Sequence, residues 1–201
     1  MSVTSRPPGR RERNKQDKLD RIVAAARDLF AERGVDDVTT QEIAERADIG
    51  AGTLFLYARN KGELLLLVQN AAYAQSLERG ARDAARTDDA LDAVLAVVRP
   101  VVECNRAQVE NGRTYLREMV FGDPEEPHHR EALTIAGRTE EAIADVLRRP
   151  GVGRSDDAEV LARVVSSVMF LAMAASADGS VDDVVDEVRR QLTAVLRPGG
   201  R

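Results

Sequence analysis

The sequence has no tryptophan, and its three tyrosines and four phenylalanines make up only 3% of 201 residues. Its apolar residues are mostly Ala, Val and Leu, a balance that favours helices, and period-two strand patterns are nearly absent. It has one cysteine, Cys104, so no internal disulfide can form. The opening MSVTSRPPGRRERNK lacks the apolar stretch of a secretory signal. Both features point to a reducing cytoplasm. The longest apolar run, Val168 to Ala175, is too short to cross a bilayer, so no membrane partner is expected.

Motifs of catalysis are missing as well. There is no G-x-S-x-G and no G-x-x-x-x-G-K, and Gly151-Val152-Gly153 is not followed by a third glycine. No enzyme activity, catalytic residue or cofactor is therefore expected. His128 and His129 lie near Asp123, Glu125 and Glu126, but an acidic, proline-bounded stretch reads as a solvated loop rather than a metal site. Cys104 reads as a small core residue.

What the chain does have is charge, 31% of its residues, and enough apolar content, 43%, to build a core. The net charge of −5 argues against a nucleic-acid partner until its distribution is considered. Met1 to Lys18 carries six basic and two acidic residues, whereas the chain beyond Leu65 carries 17 basic and 23 acidic. One end of the N-terminal region is locally basic.

Residues 1–14, with Pro7, Pro8, Gly9 and four arginines, read as a flexible basic arm. Leu19, Ile22, Val23, Ala26, Leu29 and Phe30 then recur at helical spacing until Gly34 supplies a stop. Thr39 and Glu42 form a capping-box pattern, with Val38 placed to staple Ile43. A short helix to about Ala47, a turn at Asp48-Ile49-Gly50 and a third helix from Ala51 to Tyr57 compose a helix-turn-helix.

Six longer helices are expected beyond Glu63. The first begins with the all-round apolar Leu64 to Val68. The next, from Asp88 to about Asn111, contains Pro100, where a kink is expected. Shorter helices over Arg113 to Phe121 and about His129 to Arg149 follow, the latter stopped by Pro150-Gly151. Asp157 to Ala175 becomes apolar on nearly all faces, which suggests two packing partners. The last helix, capped by Ser180, aligns Val181, Val184, Val185, Val188, Leu192 and Val195. These last two helices read as a homodimer interface.

The run Thr39 to Ala47, followed by Gly52-Thr53-Leu54-Phe55-Leu56-Tyr57 and Asn60-Lys61-Gly62-Glu63-Leu64-Leu65, resembles the DNA-binding head of TetR-type repressors. The resemblance covers about 50 residues, Lys15 to Leu65. It implies an all-α fold in which a three-helix head (residues 15–62) stands on a ligand-binding and dimerisation body of about six helices (residues 63–201). Ile43, Ala44, Ala47, Ile49 and Leu54 would be core. Gly52 would permit close approach to the duplex, Thr40 and Thr53 would place hydroxyls near helix N-termini, and Tyr57 and Lys61 would reach the flanking phosphates. The base-reading surface would be Ala51, Thr53, Phe55 and Leu56 with Gln41, of which only Gln41 and Thr53 can hydrogen-bond base edges.

The sequence departs from the family pattern at Gly50, where a capping Ser is usual, at Leu56, where a polar residue is common, and at Ala58, where a Phe is usual. The gap at Ala58 calls for filling by Phe55, Tyr57 or the following leucines. The resemblance also implies an unidentified small-molecule effector, with Asn105, Tyr115, Met119, Phe121, Met169, Phe170 and Met173 as its candidate pocket. Side chains of these types pack cores more often than they line ligand sites. The expected partners are thus a double-stranded operator, a second copy of the chain and this effector. The alternatives are a helical interaction adaptor or a small-molecule binder without DNA readout, neither of which accounts for the basic N-terminus.

Overall fold

In a computed structural model, residues 9–149, 157–176 and 179–196 are described, and they contain nine α-helices and no strand. The first three are α1 (Arg10–Arg33), α2 (Thr40–Arg46) and α3 (Ala51–Leu54). The body comprises α4 (Lys61–Ala84), α5 (Ala90–Arg106), α6 (Val109–Phe121), α7 (Pro127–Leu147), α8 (Ala158–Ala175) and α9 (Val181–Leu196). This is the expected all-α head and six-helix body. The expected arm is shorter, because Arg10 to Asn14 already belong to α1. The rest of that arm, residues 1–8, lies outside the described residues, as do the stop at Pro150-Gly151 and the Gly151-Val152-Gly153 stretch.

Ile22, Ala25, Ala26, Leu29 and Phe30 of α1 pack with Ile43, Ala47 and Leu54 in the head core. Gly34 ends α1 with φ of +80°. A Cβ there would also lie 2.6 Å from the Gln108 side chain, so glycine serves both the turn and the approach of α6. The Thr39–Glu42 capping box forms as read: the Glu42 amide donates to Thr39 Oγ1 at 3.2 Å, and the Thr39 amide to Glu42 Oε2 at 2.7 Å. These bonds, with the Arg33 guanidinium at 2.8 Å, hold the Glu42 carboxyl down at about 2.

α4 is the central element, in contact with α1 and with the body helices α5, α6 and α7. Asn60 caps it by accepting from the Glu63 amide at 2.9 Å, so the helix starts two residues before the expected Glu63. α5 continues through buried Pro100 but ends at Arg106, and Gln108 caps a separate α6. The His128-His129 stretch is not a solvated loop. Glu126 caps α7 and Pro127 occupies its first turn, so both histidines are helical, and His129 and Glu126 are buried.

Two side chains lock head to body. Asn111 of α6 accepts from the Val35 amide at 2.7 Å and donates to the Phe30 carbonyl at 2.8 Å, satisfying backbone groups stranded where α1 ends. Arg59 pairs with Glu63 at 3.2 Å and with Asp123 at 2.9 Å. The joint at Ala58 is buried without an aromatic: Phe55 is 48% exposed, and Leu64, Leu65 and partly buried Tyr57 belong to the surrounding core.

The apolar stripe of α9 is used within the protomer. Val184, Val185, Val188 and Leu192 are at most 3% exposed, and α9 packs against α5 and α8. The unmatched apolar surface is on α8, where Val160, Val164 and Leu171 are 67%, 36% and 64% exposed. Taken over 18 residues, α8 is long and apolar enough to cross a membrane by length and composition, a point the shorter run Val168 to Ala175 does not reveal. It packs on α7 and α9, and the pattern is that of a helix shared between a core and a second surface.

Candidate DNA-reading surface and effector cavity

The turn between α2 and α3 depends on Asp48, whose φ of +53° is left-handed. Arg21 of α1 holds it by donating to the Asp48 carbonyl at 3.2 Å and pairing with its carboxylate at 3.3 Å. The Ile49 amide returns to the Ala44 carbonyl at 3.0 Å. α3 is shorter than expected: after Leu54 the chain tightens, with Leu56 and Tyr57 amides bonding to Thr53 and Leu54 carbonyls three residues back. Phe55, Leu56 and Tyr57 therefore sit on a turn.

Most of the residues expected to contact DNA lie on the outer face of this unit. Gln41, Gly52, Phe55 and Leu56 are exposed, Leu56 by 83%, and Thr40, Ala51, Thr53 and Tyr57 are half-buried. Thr53, Leu56 and Tyr57 line one groove with Arg10, Arg11, Lys15 and Lys18 of α1. The basic N-terminal residues are thus brought beside Thr53, Leu56 and Tyr57 by a helix. The Tyr57 hydroxyl donates to the Lys15 carbonyl at 3.2 Å, tying the two sides together. Gln41 is engaged with Glu45 at 2.9 Å, a bond it must exchange to read a base. Lys61 is turned inward, its ammonium donating to the Val35 and Asp36 carbonyls at 2.8 and 3.0 Å. Its evident role is to close the head against α4.

Gly52 has open space around it. A Cβ built there meets no heavy atom within 4 Å, and the backbone requires no positive φ. Neither its backbone conformation nor its neighbours within the chain require glycine at this position.

In the body, Tyr115, Met119, Met169, Phe170 and Met173 converge with Tyr73, Ile135 and Thr139 on a narrow apolar cavity of about 50 Å³. Two expected pocket residues are elsewhere. Asn105 is buried but donates to the Tyr73 hydroxyl at 3.0 Å behind the cavity wall, and Phe121 is 82% exposed at the end of α6. Sequence reasoning missed Tyr73, which stacks on Tyr115 with ring centroids 4.1 Å apart. Its place on the buried face of α4 was the available signal. Burial raises both phenols above their ordinary range, so they act as neutral hydrogen-bonding groups. Leu116 and Phe170 also border an adjacent open groove that carries Arg113 and Arg117. Among the described residues there is no cluster suited to a metal ion.

Comparison with known proteins agrees with this geometry. Residues 22–68 match the model for bacterial regulatory proteins of the tetR family. A fatty acid metabolism regulator protein of Bacillus subtilis (strain 168) is 31% identical over 71 residues, 35% of this chain and 37% of that protein. The chain thus spans little more than a third of that relative's length. Among solved structures, the Thermus thermophilus TetR-family repressor FadR, in complex with lauroyl-CoA, superposes with a TM-score of 0.70 at 26% identity. That likeness covers 90% of this chain and 100% of the other. The fatty acid degradation regulator FadR of Bacillus halodurans shares the fold at 15% identity and a TM-score of 0.65, covering 96% and 99% of the two chains. Residues 22–68 thus carry a head of the tetR family, and the whole chain shares the fold of TetR-family regulators.

Proposed function

We propose that the protein is a cytoplasmic transcriptional repressor that binds a roughly palindromic operator as a homodimer and releases it when a small amphiphile fills the body cavity. The observation that carries the first half is the single groove in which Thr53, Leu56 and Tyr57 face the basic residues of α1. Arg10, Arg11, Lys15 and Lys18 neutralise phosphates, while Thr53 and Gln41 read base edges and Phe55 and Leu56 make apolar contacts such as those to thymine methyls. Two heads enter successive major grooves, their spacing set by the body.

Pairing through α8, with α9 beside it, accounts for the exposed Val160, Val164 and Leu171. An apolar cavity next to a groove in which Arg113 and Arg117 stand with Asp36 and Glu110 suits a ligand with an apolar tail and a polar, charged head. The lauroyl-CoA held by the T. thermophilus relative has that chemistry and supports the same class here. Such a ligand acts by binding preferentially to the body conformation in which the heads are mis-spaced.

The test is selection of bound fragments from random duplex DNA, followed by titration of lauroyl-CoA against the recovered operator. Enrichment of inverted half-sites and release by lauroyl-CoA are expected. Failure to enrich any sequence would overturn the DNA-binding half, and an operator complex indifferent to lauroyl-CoA would overturn the ligand class.

A further inference from the structure

A series of hydrogen bonds, joined through the His128 residue itself, leads from the cavity wall by way of α6, α4 and α7 to the turn at Tyr57. The ring of Tyr115 (α6) lines the cavity. Its hydroxyl donates to Asn70 Oδ1 at 2.9 Å, and Asn70, on α4, is 1% exposed. The Asn70 amide in turn donates to the His128 backbone carbonyl at 2.9 Å and to Glu131 Oε2 at 3.1 Å, both on α7. The His128 ring Nε2 lies 3.3 Å from the backbone carbonyl of Tyr57, and Tyr57 faces the basic residues of α1.

The chain has a fixed polarity. A backbone carbonyl only accepts, so the Asn70 nitrogen must face His128 and its oxygen must face Tyr115. For the same reason His128 must carry hydrogen on Nε2. Glu126 Oε1 also lies 3.8 Å from the His128 Nε2, but the Asn70 amide is buried and loses a partner at a cost, so displacement of Tyr115 is felt at the α7 N-terminus. Tyr73 offers an internal contrast. It stacks on Tyr115 and lines the same cavity, yet its hydroxyl bonds to Asn105, away from the head.

We propose that Tyr115, Asn70 and His128 are positioning residues that couple the cavity to the DNA-reading turn at Tyr57. A ligand that moves the Tyr115 ring draws on Asn70, releases the α7 N-terminus and frees the Tyr57 carbonyl. The regulatory consequence rests on the DNA-binding reading above, and the experiment keeps the two separable.

Operator affinity is measured in ligand-free protein for Tyr115→Phe, His128→Ala, the double variant, His128→Gln and Tyr73→Phe. Tyr115→Phe and His128→Ala should each weaken binding by about threefold to tenfold, the scale of one hydrogen bond. The double variant should be no weaker than the worse single, because both break one chain, whereas independent structural damage would add. His128→Gln retains a donor towards Tyr57 and should stay within about twofold, as should Tyr73→Phe, which lies off the chain. Additive losses, or Tyr73→Phe matching Tyr115→Phe, would overturn the coupling.

If the wild type selects no DNA sequence, the functional reading fails, and the coupling is decided by NMR instead. The sequence has only two histidines, so the His128 imidazole signals are readily resolved. Their displacement by Tyr115→Phe but not by Tyr73→Phe sustains the chain, and unmoved signals refute it.

Discussion

Replacing Gly52 by alanine separates a structural glycine from a functional one. An added Cβ at this position meets no heavy atom within 4 Å, and the residue lies inside α3, where alanine is the better helix former. The substitution should therefore stabilise the protein by about 0.5–1 kcal/mol, chiefly by restricting the unfolded chain. For a chain of this size that corresponds to a rise in Tm of about 1–4 °C. On the proposed reading, the same methyl would protrude from the face that approaches the duplex. Forcing it into a close-packed contact costs about 1–3 kcal/mol, which is a loss of operator affinity of about fivefold to a hundredfold. Thermal unfolding followed by circular dichroism gives the first quantity and fluorescence anisotropy with labelled operator gives the second. A lower Tm would show that Gly52 serves the fold after all, and a higher Tm with unchanged affinity would remove this face from the contact.

Other perturbations address the joint, the interface and pH. Asn111→Ala strands the Val35 amide and Phe30 carbonyl and should cost about 2–4 kcal/mol in urea unfolding; a loss below about 0.5 kcal/mol would deny the clamp. Leu171→Asp places a charge on the exposed stripe of α8 and should convert dimer to monomer in analytical ultracentrifugation, while an unchanged dimer would locate the interface elsewhere. The Glu42 carboxyl is depressed from 4.5 to about 2 by the Thr39 amide and hydroxyl and by Arg33. Because the folded value lies below the unfolded one, its stabilisation is complete above about pH 4.5 and is lost as pH falls towards 2. Glu42→Gln should therefore flatten the pH dependence of stability in that window, and an unaltered slope would refute the assignment.

What the sequence made legible was mostly local. The Thr39–Glu42 box and the Ser180 cap, which accepts from the Asp183 amide at 3.2 Å, are set by residues three apart. The helices followed from their periodicity, whereas their division into head and body came from the family resemblance. The clamp at Asn111 was not legible, because its partners are 76 and 81 positions away and an asparagine near a helix start has many local uses. The stripe of α9 was read correctly as apolar but assigned to a partner, since periodicity identifies a buried face without naming what buries it. Lys61 looked like a phosphate contact by resemblance, yet the same long side chain also reaches the carbonyls of Val35 and Asp36. Phe121 lies outside the cavity for a related reason: it occupies the last turn of α6, where it borders the adjacent groove with Arg113 and Arg117 instead.

The central claim, that this head surface binds DNA through its basic groove and reads it through α3, is tested most directly by the salt dependence of binding to the selected operator. If a dimer neutralises about six to ten phosphates, affinity should fall by roughly 10³–10⁵ between about 50 and 200 mM salt. Arg11→Ala should lower the slope of that plot, by about one phosphate for each head, with little change in sequence preference, whereas Thr53→Ala should relax preference at one base position with the slope preserved. A flat salt response, or variants of the groove and of α3 that change slope and preference alike, would contradict it.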